Sequence, residues 1–209
     1  MRTWRFFLAV ILGALAFSTA SAEDDLQSAA AIRELVRRGA VVKKFAVIES
    51  ETQGLLVRLK AEHIDRNGKI DADILATLQP LKELSLELRS LPLSDAGLKS
   101  LLAKVTLVGL DVSGSEISDR GFQVLASARV SLRLLDLSFT RLSDEGLASV
   151  ASQSELRHLS LIDCRVTDGG IESLSRLARL REIYLAKTAV SASAAEQLRR
   201  RLPACRIDR

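Results

Sequence analysis

A single frame, L-x-x-L-x-L-x-x-[STC]-x-[LIV]-[ST]-D-x-G-[LIF], returns along this chain at a nearly fixed interval, and it limits the possible folds more than any other feature. Residues 81–98 read LKELSLELRSLPLSDAGL, 107–122 read LVGLDVSGSEISDRGF, 132–147 read LRLLDLSFTRLSDEGL and 156–171 read LRHLSLIDCRVTDGGI. A decayed fifth copy begins at Leu180, with Ala192 and Ala194 in the Asp and Gly slots. The third apolar position of each copy gives Leu86, Val112, Leu137, Leu161 and Leu185 as markers, spaced by 26, 25, 24 and 24 residues. Self-similarity at such a period is the signature of stacked supersecondary units.

The frame translates into structure slot by slot. Alternating leucines predict a short strand with one buried face. The next slot, Ser115, Thr140, Cys164 or Thr188, takes a small side chain able to offer a polar or sulfur atom to the backbone turn. Ile117, Leu142, Val166 and Val190 then point back into the core. Ser94-Asp95, Ser118-Asp119, Ser143-Asp144 and Thr167-Asp168 each supply a helix N-cap and a carboxylate for the orphan amides of the first turn. Apolar residues at three-to-four spacing follow, as in Leu98, Leu101 and Leu102. A lone unit buries nothing, whereas stacked units build a parallel sheet on the concave side and helices on the convex side. The composition agrees: leucine supplies 37 of 209 residues and aromatics only 4%, as expected of a layered aliphatic interior.

These motifs resemble the leucine-rich repeat, in its cysteine-containing, ribonuclease-inhibitor-like subtype as found in exported bacterial arrays. Only Cys164 occupies the cysteine slot, one residue off the longer spacing of that subtype. The clear copies lie within 81–178, and with degenerate ends the resemblance extends over about 55–209. It implies an α/β right-handed solenoid and a binding role for the concave sheet.

The ends of the array need covers. Residues 24–38 read as an amphipathic helix through Leu26, Ile32, Leu35 and Val36, closed by Gly39. Val41 to Ile48 and Leu55 to Ala61 alternate like strands, with 51–54 as the turn between them. The expected organisation is a cap over 23–54, repeats over 55–202 with an irregular first unit, and a terminal cap over 203–209. Residues 1–22 stand apart. Arg2 and Arg5, a 12-residue apolar run from Phe6 to Phe17 and the triplet Ala20-Ser21-Ala22 follow the grammar of a secretory leader cleaved after Ala22. The run is shorter than the ~20 residues needed to span a bilayer. The expectation is a chain exported to the periplasm or beyond, with no membrane span in its mature form.

Charge and chemistry narrow the function classes. With 30 basic and 26 acidic residues, net +4, the chain is too balanced for a dedicated nucleic-acid binder. Two histidines and two cysteines leave little for a metal centre, and no cofactor site is expected. Residues 63–74 approach a calcium loop, but His63 and Ile74 replace two of its strongest oxygen ligands, and an Asn67-Gly68 turn is the simpler reading. Cys164 and Cys205 sit two layers apart, about ~10 Å at strand spacing and beyond bridging range, so free thiols are expected. Asp136, His158 and Ser160 have the residue types of a catalytic triad without a nucleophile elbow or an oxyanion loop, so no enzyme is expected. The expected function is protein binding through the concave positions. These are Ser85, Asp111, Asp136, Ser160 and Tyr184 in a central column, with Glu87, Ser113, Ser138, Ile162 and Ala186 on one flank and Glu83, Gly109, Leu134, His158 and Glu182 on the other. The alternative is an envelope-associated adhesion protein attached through the basic end at Arg199, Arg200, Arg201, Arg206 and Arg209.

Overall fold

A computed structural model describes residues 22–46, 53–128 and 130–209. Residues 1–22, expected to be a secretory leader, therefore lie outside the described residues, apart from Ala22. The elements run α1 (Ala22–Arg37), β1 (Val41–Ala46), β2 (Gln53–Arg58), a 3-10 turn (Ala61–His63), α2 (Ala72–Leu78), β3 (Leu84–Glu87), α3 (Asp95–Lys104), β4 (Gly109–Asp111) and α4 (Asp119–Phe122). They continue with β5 (Leu134–Asp136), α5 (Asp144–Val150), β6 (His158–Ser160), α6 (Asp168–Ile171), β7 (Glu182–Tyr184), α7 (Ala192–Arg201) and β8 (Arg206–Asp208). The strands form one eight-stranded sheet in sequence order, antiparallel between β1 and β2 and parallel from there to β8. This is the α/β solenoid that the period predicts.

The core is a stack of aliphatic rungs. Leu110, Leu135, Leu159 and Ile183 pair register for register, and each is buried. Val112, Leu137, Leu161 and Leu185 form the second rung column, and Ile117, Leu142, Val166 and Val190 close the turn side. Burying each Leu or Ile contributes roughly 1.5–3 kcal/mol. No rung is self-sufficient, because each apolar face is covered only by its neighbours.

One register differs from the sequence expectation. Leu86 pairs with Leu110, and Ser85 with Gly109, so the first-copy marker equivalent to Val112 is Leu88. The spacings become 24, 25, 24 and 24, the same as those from Ser94 to Ser118, Ser143, Thr167 and Ser191. Leu84, Leu86 and Leu88 alternate in one stretch, so a slip of two residues preserves the apolar pattern and the sequence alone does not reveal it. The Leu81-x-x-Leu84 pair imitates Leu107-x-x-Leu110 two residues early.

Ser94, Ser143 and Thr167 cap their helices as expected, whereas Ser118 makes no side-chain cap bond, and the hydrogen bonds of the aspartates go to the next repeat. Asp95 accepts from Ser118 N (2.8 Å) and Ser118 Oγ (2.6 Å) of the next repeat. Asp119 does the same for Ser143, Asp144 for Thr167, and Asp168 accepts from Ser191 N at 2.6 Å. The carboxylates thus form a ladder that fastens each helix start to the one before. The ladder accounts for the glycine two residues after each Asp: a Cβ at Gly121, Gly146 or Gly170 would overlap Asp95, Asp119 or Asp144. It begins without a carboxylate, since the Gly68 carbonyl accepts from Ser94 N (2.9 Å) and Oγ (3.1 Å). Gly68 sits at φ +71 in the Asn-Gly turn, so the calcium-like segment starts the ladder. The hydrogen bonds from Ser191, reinforced by Arg209, hold the Asp168 carboxyl below its ordinary range.

The N-terminal cover departs from its simple pattern. Leu35 is fully buried, yet Leu26 is 67% and Val36 54% exposed, so the buried stripe of α1 runs through Ala31 and Leu35. Residues 53 and 54 belong to β2 instead of the turn, and Phe45 lies over Gly54 where a Cβ would stand. Buried His63 joins cover to array: its Nδ1 accepts from Lys60 N (2.8 Å) and its Nε2 meets Arg38 O (2.8 Å).

Candidate binding face

Parallel register sets the rows on the sheet face. The central row is Glu87, Asp111, Asp136, Ser160 and Tyr184, with Arg58 before it and Asp208 after. Ser85 leaves that column, as a correction, and joins Gly109, Leu134, His158 and Glu182 in the flanking row. Gly109 is bare because a Cβ there would strike the Ser85 hydroxyl. The caps on the helix side carry the correct count, and counting back from Ser94 would have recovered this register.

Burial divides the row in two. Ser85, Asp111, Asp136 and Ser160 are 5%, 3%, 7% and 8% exposed, so little of each is open to a partner. Asp111 Oδ1 accepts from Ser113 N (2.8 Å) and Asp136 Oδ1 from Ser138 N (2.9 Å), each closing the end of its own strand. Arg89 reaches Asp111 Oδ2 at 3.2 Å, Arg58 pairs with Glu87, and Ser160 shares a 2.7 Å hydroxyl contact with Ser138. The mildly acidic half of the face is therefore committed to holding the sheet.

The C-terminal half presents side chains instead. Leu134, His158, Ile162, Glu182, Tyr184 and Ala186 are all partly exposed. Glu182 Oε2 accepts from Tyr184 Oη (3.1 Å) and meets His158 Nδ1 at 3.2 Å, so one carboxylate fixes both rings. Burial first, then the charge of Glu182, pushes the Tyr184 hydroxyl above its usual range. Near this patch Phe139 is 55% exposed at φ +59, a left-handed conformation shared by Ser90, Asp163 and Lys187 in the same slot. A bulky aromatic in that conformation is unusual, and the sequence signal was available: an unexpected ring in a turn slot otherwise filled by Ser, Gly, Asp or Lys.

His158 Nδ1 meets Glu182 Oε2, and the Ser160 hydroxyl shares its contact with that of Ser138. At the calcium-like segment Asp65 Oδ1 accepts from Asn67 N (2.8 Å) and Lys69 N (2.9 Å), while both nitrogens of His63 are engaged as above. Among the described residues no group of three His, Cys, Asp or Glu is placed to hold a metal ion, and no helix is long and apolar enough to cross a membrane. At the basic end Arg199 and Arg200 share Glu196, Arg201 meets Glu172 at 2.9 Å, and Arg209 Nε donates to Val190 O.

Both thiols are free and buried. Cys164 Sγ donates to Leu137 O of the preceding repeat at 3.1 Å, as its turn slot requires, and burial raises its pKa. Burial pushes Cys205 up to about 11. Thiolate is the reactive form. A disulfide-exchange reagent is therefore expected to titrate almost no thiol in native protein and two per chain in denaturant. A count of zero in unreduced, denatured protein overturns the assignment.

Sheet, convex helices, aliphatic rungs and a side-chain-bearing sheet face together define a leucine-rich-repeat solenoid. A family model described as Leucine Rich repeat matches residues 130–151 and 154–175, the third and fourth clear copies, and supports a leucine-rich repeat protein. A search of the curated proteins finds no match.

Proposed function

We propose that this chain is an exported, non-catalytic protein-binding module whose contact surface is the C-terminal half of the sheet face. The observation that carries the reading is the Tyr184–Glu182–His158 cluster. Its rings are held in place before any partner arrives, which lowers the ordering cost of association. Leu134 and Ile162 beside it supply apolar area, and a partly buried tyrosine is the residue type that concentrates binding energy at interfaces. Leucine-rich repeats are interaction modules as a class, which supports a protein partner. The leader-like residues 1–22 support export to the periplasm or the exterior.

A photo-crosslinking residue at position 184, with position 196 on the helix side as control, tests the face in extract from the native compartment. The expected result is a protein captured from position 184 only. Titrated with that protein, Tyr184→Ala is expected to weaken binding by about tenfold or more, the effect of ~1.4 kcal/mol at a hot spot. Equal capture from both positions, or unchanged affinity in Tyr184→Ala, counts against this face.

A further inference from the structure

Among the described residues the sheet ends on β8, and the outer edge of this strand is complementary to itself. Arg206 N donates to Arg181 O and Leu185 N donates to Asp208 O, both at 2.7 Å, so Arg206 and Asp208 turn their backbone groups toward β7. Alternation along the strand then directs the N–H and C=O of Ile207 outward. The Arg206 and Asp208 side chains are exposed, while Ile207 packs against the core. The helix α7 carries Ala192 where Asp95, Asp119, Asp144 and Asp168 each anchor the next helix start. An open edge of this kind is a template for another strand.

We propose that β8 pairs antiparallel with β8 of a second copy of this chain, centred on Ile207, to make a two-fold symmetric dimer. In that register the two Ile207 residues exchange both N–H···O bonds, as directly opposed residues of an antiparallel hydrogen-bonded pair do. Arg206 of each copy then stands opposite Asp208 of the other. These flanking positions belong to the non-hydrogen-bonded class, in which side chains come closest, and opposite charges there stabilise the pair. The symmetry closes the interface after two copies, so no filament follows.

The other end of the sheet lacks this match. Paired with itself about either middle residue, β1 sets Lys43 against Lys43 or Lys44 against Lys44 of the second copy, a like-charge contact that disfavours pairing. The helix flanking β8 offers little opposition, since Glu196 holds Arg199 and Arg200 and Glu172 holds Arg201. The dimer stands independently of the binding-face reading. It also brings the Glu182–Tyr184 rows of two copies to either side of the axis, because these residues pair directly with Arg206 and Asp208.

Sedimentation equilibrium of the purified protein over a wide concentration range tests the proposal. A short edge makes a small interface, so the expected wild-type behaviour is reversible dimerisation that rises with concentration. Arg206→Asp and Asp208→Arg, taken singly, are expected to weaken self-association at least about tenfold while keeping the wild-type circular dichroism. The double swap Arg206→Asp/Asp208→Arg is expected to dimerise again. Mixed with wild type it should form no hybrid, because Arg then faces Arg and Asp faces Asp. Recovery in the double swap reads the interface apart from folding, since that variant carries both substitutions. A wild type that stays monomeric, single variants that dimerise as wild type does, or a double swap that remains monomeric overturns the proposal.

Discussion

Gly146→Ala is expected to destabilise the protein by about 2–3 kcal/mol, although alanine is the better helix former by ~1 kcal/mol. Gly146 lies in the first turn of α5, where the added methyl would overlap Asp119 Oδ1 and approach Asp119 Cγ to 3.1 Å and Leu142 Cδ1 to 2.7 Å. Leu142 can adjust at its flexible end. Asp119 cannot, because its two oxygens accept from Ser143 N (2.8 Å) and Ser143 Oγ. The methyl must either strain the turn, at roughly 1–3 kcal/mol, or break bonds to a charged group, at roughly 1.5–3 kcal/mol. Asp119→Ala alone should cost about 2–3 kcal/mol by stranding the same Ser143 donors. The decisive measurement is the double variant in urea. With Asp119 shortened the methyl has room, so Gly146→Ala should then cost little, a coupling of about 2–3 kcal/mol. Additivity of the two single effects would mean that the ladder does not dictate the glycine.

Phe122→Ala is expected to cost about 3–5 kcal/mol, the upper range for emptying a buried aromatic site. Phe122 is fully buried and heads the largest side chains of the core. Its slot holds Leu98, Leu147 and Ile171 in the neighbouring repeats, each also buried. The architecture at this position therefore accommodates a leucine, and Phe122→Leu should lose less than about 1.5 kcal/mol. Because each repeat is stabilised chiefly by its neighbours, a cavity in the second clear copy weakens both interfaces of that unit. Thermal unfolding of the two variants separates the cases. Equal losses for Ala and Leu would show that the ring is not packed as described.

The fold and most of the core were legible in the sequence for a specific reason. A rung such as Leu135 recurs at one period with its polar neighbours, and in a stacked array sequence period and spatial neighbour coincide. Val166 and Val190 could be assigned to the interior on that ground alone, and both are buried. Position along the period is clear, but position across a strand is not. An error of two residues keeps every leucine on its proper face, which is how Ser85 was placed beside Asp111. The candidate face was legible only as a set of positions. Sequence shows that Asp111, Asp136, His158 and Tyr184 share a face, but it does not show that Asp111 bends back to Ser113 while Glu182 braces His158 and Tyr184.

The sequence by itself determined the repeat, the order of strand, turn and helix within it, and the side of each element that turns inward, because these follow from local periodicity and capping chemistry. Only the tertiary structure decided where each Asp of the S/T-D-x-G motif is used and which polar side chains of the sheet face remain available. Both depend on neighbours one full repeat away, at a distance and angle set by stacking. A carboxylate near a helix start looks the same in the chain whether it serves its own first turn or the next repeat's, and only the stacking of the rungs brings Asp119 to Ser143.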